Sequence, residues 1–268
     1  MATLDLDGAR LAYDLDGPAG PADVAAPVLA LAHGWCSKSA HWDAQVAAFG
    51  PAHRIVRWDR RGMGRSTADG PADSPARHAD DLAAILDAEG IDRVVVAGHA
   101  GGGPTALTFA VRHADRAAGL IMVDTRVTAA APDGGPSPWA AGLDKSCARL
   151  ERDGAPYFER LYRGFFGPRA PEAVVADAVA NALATPVATA TSEMRHMALD
   201  MAPTAAQVRC PVLWVSAQPD DTAEVRERFP ATDVTIGHVV GSGHFVQVEV
   251  PDQLNPMIAA FLVDKVGG

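Results

Sequence analysis

The segment Val94-Val-Val-Ala-Gly-His-Ala-Gly-Gly-Gly103 constrains the fold of this chain more than any other. Its unbroken apolar start suits a strand buried on both faces of a parallel sheet. The glycines then lead into a helical pattern from Gly101 to His113. A strand must therefore reverse sharply into a helix, and so tight a turn tolerates only small residues on either side. Gly98, Gly101 and Gly102 supply them, and Ala100 stands at the apex. A dinucleotide loop is the competing reading of such a glycine run. It would need G-x-G-x-x-G in the first strand–helix unit, and neither condition is met.

The remaining chain fits around that element. Alternating runs at Thr3–Leu6 and Arg10–Asp14 flank Asp7-Gly8 and predict a hairpin. Apolar runs at Pro27–Ala32, Ile55–Trp58, Asp92–Gly98, Gly119–Val123, Pro211–Ser216 and Val234–His238 predict strands. Between them, helical spacing covers Ser39–Phe49, Pro75–Glu89, Gly101–His113, Thr222–Phe229 and Gln253–Val263. From Thr128 to Arg209 no strand pattern occurs. Helical stretches around Trp139–Arg152, Tyr157–Phe165, Glu172–Ala184 and Val187–Asp200 predict an inserted helical cap. The expected organisation is an α/β core over 1–127 and 208–268, with the cap over 128–207. Strands alternating with helices imply a mostly parallel sheet with helices on both faces.

Composition excludes some functions. A formal charge of −10 argues against nucleic acid, because phosphate binding needs clustered Lys and Arg. The three cysteines have no metal-ligand spacing and fit a reducing cytoplasm. Neither a signal peptide nor a membrane-spanning apolar run is expected.

Ligands of open parallel sheets bind outside the carboxyl ends of the strands. The informative residues are therefore His33-Gly34-Trp35, the turn around Ala100, Asp124, Asp220/Asp221 and Gly243-His244-Phe245. His244 is a candidate base, since imidazole titrates where proton transfer at neutral pH is useful. Its carboxylate partner is Asp124, which ends its strand, or alternatively Asp220. The turn before Asp220 reads Ala217-Gln218-Pro219, and Asp124 is favoured. A three-histidine metal site at His33, His99 and His244 lacks any close-spaced ligand pair, so no metal is expected. Asp59-Arg60-Arg61 reads as a structural turn.

In their order and spacing, His33-Gly34, Asp59-Arg60-Arg61-Gly62-Met63-Gly64-Arg65-Ser66, Gly98-His99-Ala100-Gly101-Gly102 and Gly243-His244-Phe245 resemble the α/β-hydrolase fold superfamily. The resemblance covers nearly the whole chain. It makes the turn at residue 100 a nucleophile elbow, G-x-S-x-G, with alanine where the serine belongs. It also implies an oxyanion pocket from the backbone N–H groups of Trp35 and Gly101, with His33 and His99 close by.

Alanine has no oxygen to attack a carbonyl, so acyl-enzyme chemistry is closed to the sequence as written. The favoured expectation is a reaction that never needed the serine. Gly34-Trp35-Cys36, Asp124, Ser216 with Gln218-Pro219, and His244-Phe245 with Val250-Pro251-Asp252 resemble the cofactor-independent 3-hydroxy-4(1H)-quinolone 2,4-dioxygenases. That resemblance implies a His244/Asp124 dyad, a small apolar aromatic substrate reacting with O2, and no cofactor. The alternatives are an ester, lactone or carbon–carbon bond hydrolase whose serine is replaced by Ala100, and a non-catalytic protein that binds small molecules.

Overall fold

The computed structural model describes residues 1–18, 26–70, 74–127, 135, 137–218 and 222–267. The chain opens with a hairpin, β1 (Ala2–Leu6) and β2 (Ala9–Asp16), paired antiparallel from Ala2↔Tyr13 to Leu6↔Ala9. Then come β3 (Val28–Ala32), a 3-10 turn over Ser39–Trp42, α1 (Asp43–Phe49) and β4 (Ile55–Trp58). A short β5 (Thr67–Ala68) returns to the edge of β2. After it lie α2 (Pro75–Ala88), β6 (Val94–His99), α3 (Gly102–Arg112) and β7 (Ala117–Val123). Among the described residues five helices follow without an intervening strand: α4 (Pro138–Asp153), α5 (Ala155–Arg163), α6 (Glu172–Ala184), α7 (Val187–Met197) and α8 (Ala202–Ala205). The sheet resumes with β8 (Val212–Ser216), α9 (Thr222–Arg228) and β9 (Val234–His238), followed by α10 (Val246–Glu249), α11 (Pro251–Phe261) and a π-helical turn over Leu262–Val266.

The strands lie in the order β1-β2-β4-β3-β6-β7-β8-β9, and every pair from β4 onward is parallel. Side chains alternate across a strand, so each central strand feeds two cores. Val94, Val96, Leu120 and Met122 face the α2/α3 side, whereas Val95, Ala97, Ile121 and Val123 face the α1/α11 side. That double burial is why these strands read as continuous apolar runs.

Local signals set the helix starts. At α2, Ser74 Oγ accepts the Arg77 N–H at 3.1 Å and Pro75 occupies the first turn, where its missing N–H costs nothing. Ser137 caps α4 in the same way ahead of Pro138, one residue before the expected start at Trp139. The helix expected from Ser39 begins instead as a 3-10 turn, and the one expected at Gln253–Val263 starts at Pro251. Neither β5 nor α10 was expected, each being too short to show a period. No single described helix is long and apolar enough to cross a membrane. The bent pair α6/α7 passes that test together, but it turns through 102° and packs Val175, Val179 and Met194 into a third core cluster with Trp35 and Phe245.

Candidate active site

The elbow is built by close backbone approach. A Cβ on Gly98 would lie 2.4 Å from the Gly102 carbonyl, and one on Gly102 would lie 2.5 Å from the carbonyls of both Ala32 and His33. Only glycine fits at either place. Between them Ala100 takes φ +48°, a left-handed conformation that side-chain-bearing residues seldom adopt. It is held there by its N–H to the Val123 carbonyl (3.1 Å), while its own carbonyl accepts from Thr125 Oγ1 at 2.7 Å. Asp124 (φ +42°) and Cys36 (φ +47°) are equally displaced, each just beyond a neighbouring strand. Such departures cluster at functional sites, where the surroundings over-determine them.

His244 and Asp124 come together across the strand ends. Asp124 Oδ2 lies 2.5 Å from His244 Nδ1, and its Oδ1 accepts the Ala217 N–H at 2.9 Å. Burial pushes the Asp124 carboxyl up, but the hydrogen bond and charge of His244 outweigh it and hold it below the usual range. With Nδ1 committed to Asp124, the imidazole keeps Nε2 for the cavity, which Ala100 also lines. The alternative acid, Asp220, lies outside the described residues, as do Pro219 and Asp221.

The His244 loop is clamped from three directions. Its N–H donates to the Phe165 carbonyl at 2.7 Å, and its own carbonyl accepts from His99 Nε2 at 2.8 Å. Glu249 takes the N–H groups of Gly167, Gly243 and Phe245 at 2.9, 3.0 and 3.3 Å. A Cβ on Gly243 would lie 2.2 Å from the Gly167 nitrogen, which is why glycine precedes the histidine. His99 is buried, and burial with the neighbouring His244 pushes its imidazole down to about 3. It is a neutral tether, not an acid or base.

His33 does not reach the cavity. Its Nδ1–H donates to the Gly34 carbonyl (2.9 Å), its Nε2 accepts the Arg60 N–H (2.8 Å), and burial beside Arg60 lowers it to about 3. Expected close to the oxyanion pocket, it instead spends both nitrogens on the loop. That also removes it as a metal ligand. Among the described residues no cluster of three or more His, Cys, Asp or Glu could hold a metal ion.

The loop over residues 34–36 faces the elbow. A Cβ on Gly101 would lie 3.1 Å from the Trp35 nitrogen, so the two backbones are nearly in contact. Among the described residues neither N–H has a hydrogen-bond acceptor within the protein. The helices after β7 hold this loop: Trp35 Nε1 donates to the Ala190 carbonyl at 2.7 Å. Tyr162 Oη donates to the carbonyls of Trp35 (3.2 Å) and Cys36 (3.1 Å), and Asn181 Nδ2 to Cys36 (3.1 Å).

Sequence reasoning missed Glu193. On α7 it is almost wholly buried, ion-paired to Arg60 at 2.6 Å and hydrogen-bonded to His78. Arg60 in turn donates to the Gly34 carbonyl at 2.9 Å. Burial raises the Glu193 carboxyl, yet Arg60 and His78 bring it down to about 2. Arg61 is likewise fully engaged, bidentate to Asp81 at 2.7 Å per contact. The Asp59-Arg60-Arg61 turn is thus a set of buried ion pairs.

Above Ala100 lies a cavity of about 500 Å³ walled mainly by apolar groups, among them Trp35, Leu161, Phe165, Phe166, Met194 and Met197. A strained elbow bearing alanine, an Asp–His pair, two backbone N–H groups and an apolar cavity thus meet at the carboxyl ends of the strands. Residues 29–256 match the model of the Alpha/beta hydrolase family, and the chain belongs to that family.

Similar proteins agree in class. The "Putative carbamate hydrolase RutD" of Caulobacter vibrioides is 36% identical over 115 residues, covering 42% of each chain. The chain thus aligns with less than half the length of that relative. The protein of the same name from Caulobacter sp. strain K31 is 28% identical over 279 residues, covering 91% of this chain and 92% of that one. The crystal structure of the enol-lactonase from Burkholderia xenovorans LB400 superposes with a TM-score of 0.83 at 23% identity, covering 98% of this chain and 100% of that one, a likeness of fold.

These relatives overturn the expected quinolone dioxygenase, and with it the oxidoreductase assignment and the role of O2. The residues that suggested it, Trp35, Asp124 and His244, occupy strand ends that the fold presents for any chemistry, so they do not discriminate one reaction from another.

Proposed function

We propose that this is the site of an ester, lactone or carbon–carbon bond hydrolase whose serine position is filled by Ala100. The observation that carries the reading is Ala100 at φ +48°, in a cavity shared with a His244–Asp124 pair 2.5 Å apart. A substrate carbonyl lodged over Ala100 would place its oxygen against the N–H groups of Trp35 and Gly101. Those donors stabilise the oxyanion whatever the elbow side chain is. The chain as it stands binds and polarises the acyl group, and water is the nucleophile left to it. His244 Nε2 takes the proton from that water as its oxygen attacks the carbonyl carbon. The resulting imidazolium, stabilised by Asp124, then protonates the leaving group. A site reduced in this way retains a rate on the order of 10³–10⁴ over water. The relatives named as hydrolases support the same class.

The test is Ala100→Ser, assayed on neutral aryl esters and lactones. Restoring the nucleophile should raise kcat/KM by about 10³-fold or more, given the loss that follows removal of a triad serine. A variant that folds and binds but hydrolyses no faster than the parent would refute the proposal and favour a binding protein.

A further inference from the structure

The cavity over Ala100 is apolar, but among the described residues one permanently charged side chain lines it. Arg126 sits two residues past Asp124, on the segment leaving β7. The other ionisable groups in the wall are accounted for: Asp124 and His244 hold each other, and His99 is spent on the His244 carbonyl. Arg126 is exposed, with its guanidinium carbon 6.0 Å from the centre of the Trp139 ring, which lines the same cavity. A ring at that distance offers no lone pair, so the guanidinium N–H donors are left to other partners.

Among the described residues most arginines pair with a carboxylate; Arg93, Arg149 and Arg160 do not, but they lie outside the cavity wall. Arg57, Arg60, Arg61, Arg65, Arg112, Arg116 and Arg163 each pair with a carboxylate. Among the described residues Arg126 pairs with none, in a chain whose net charge is −10. A planar fork of donors at the wall of an apolar cavity matches a carboxylate, which it can bind bidentately.

We infer that Arg126 is a specificity-determining residue that reads a carboxylate on the substrate. The acyl compound is then an apolar ester or lactone bearing an acid group elsewhere on the molecule. This rests on the hydrolase reading for the reaction, but binding can be measured apart from it with ligands that carry no ester or lactone bond to cleave. Calorimetric titration of the full chain with 4-phenylbutyrate and with 4-phenylbutyramide separates the charge from the shape. The acid should bind at least about tenfold tighter than the amide, as expected for a charge-assisted bidentate contact. In Arg126→Gln the two should bind alike, with the amide's affinity unchanged from the parent. Equal affinities in the parent, a parallel loss of both ligands in Arg126→Gln, or no binding of either ligand would each overturn the inference. The aryl esters used on Ala100→Ser carry no acid group, so the hydrolase reading stands or falls separately.

Discussion

Glu193 joins the helices after β7 to the loop that presents Trp35, and its removal has a calculable effect. Replacing it by Gln leaves the Arg60 guanidinium, 1% exposed, without its counter-charge. Breaking a buried pair from one side costs about 3–5 kcal/mol. A second route gives a similar size. A carboxyl lowered from 4.5 to about 2 by its partners contributes about 3 kcal/mol at neutral pH. Because the folded-state value lies below the unfolded one, that contribution is complete above pH 4.5. It falls away as pH drops towards 2, with about 2 kcal/mol gone by pH 3. Urea unfolding of the parent and Glu193→Gln should therefore differ by about 3–5 kcal/mol at pH 7, or roughly 10 °C in Tm, and converge in acid. A gap below about 1 kcal/mol, the value of an ordinary surface pair, or one that stays constant from pH 7 to pH 3, would refute this account of the network.

Further substitutions probe the elbow and the dyad. Gly102→Ala would push a methyl to 2.5 Å from two backbone carbonyls that cannot swing aside, so a loss of at least about 2 kcal/mol is expected by denaturant titration; an unchanged midpoint would contradict the packing described. In the Ala100→Ser background, His244→Ala should abolish ester turnover with binding largely retained, and Asp124→Ala should lower kcat more than Asp220→Ala does, an order whose reversal would reassign the acid.

The elbow was legible in sequence because its chemistry is steric: a buried apolar run followed by glycines leaves few conformations. Asp124 and His244 could be singled out because both follow strand signals, and parallel sheets collect such residues at one edge. Glu193 could not. Its neighbours Thr191-Ser-Glu-Met-Arg-His196 read as an ordinary helical face, and Arg60 and His78 are far away in the chain. Glu249 and Tyr162 escaped for the same reason, since their partners are backbone groups of distant loops. The reaction was the least legible layer. The residues shared with the quinolone dioxygenases are those the fold places at the site in any case, so they carried the architecture and not the chemistry.

The left-handed conformation at residue 100 has a consequence for how this site can change. The sheet, the flanking glycines and the Val123 and Thr125 contacts impose that conformation, and the side chain contributes nothing to it. Alanine and serine differ by one oxygen, and both meet the same backbone cost at this position. Reactivity here is therefore decoupled from foldability. A single atom can be added or withdrawn while His244, Asp124, the Trp35 and Gly101 N–H groups and the cavity stay in place.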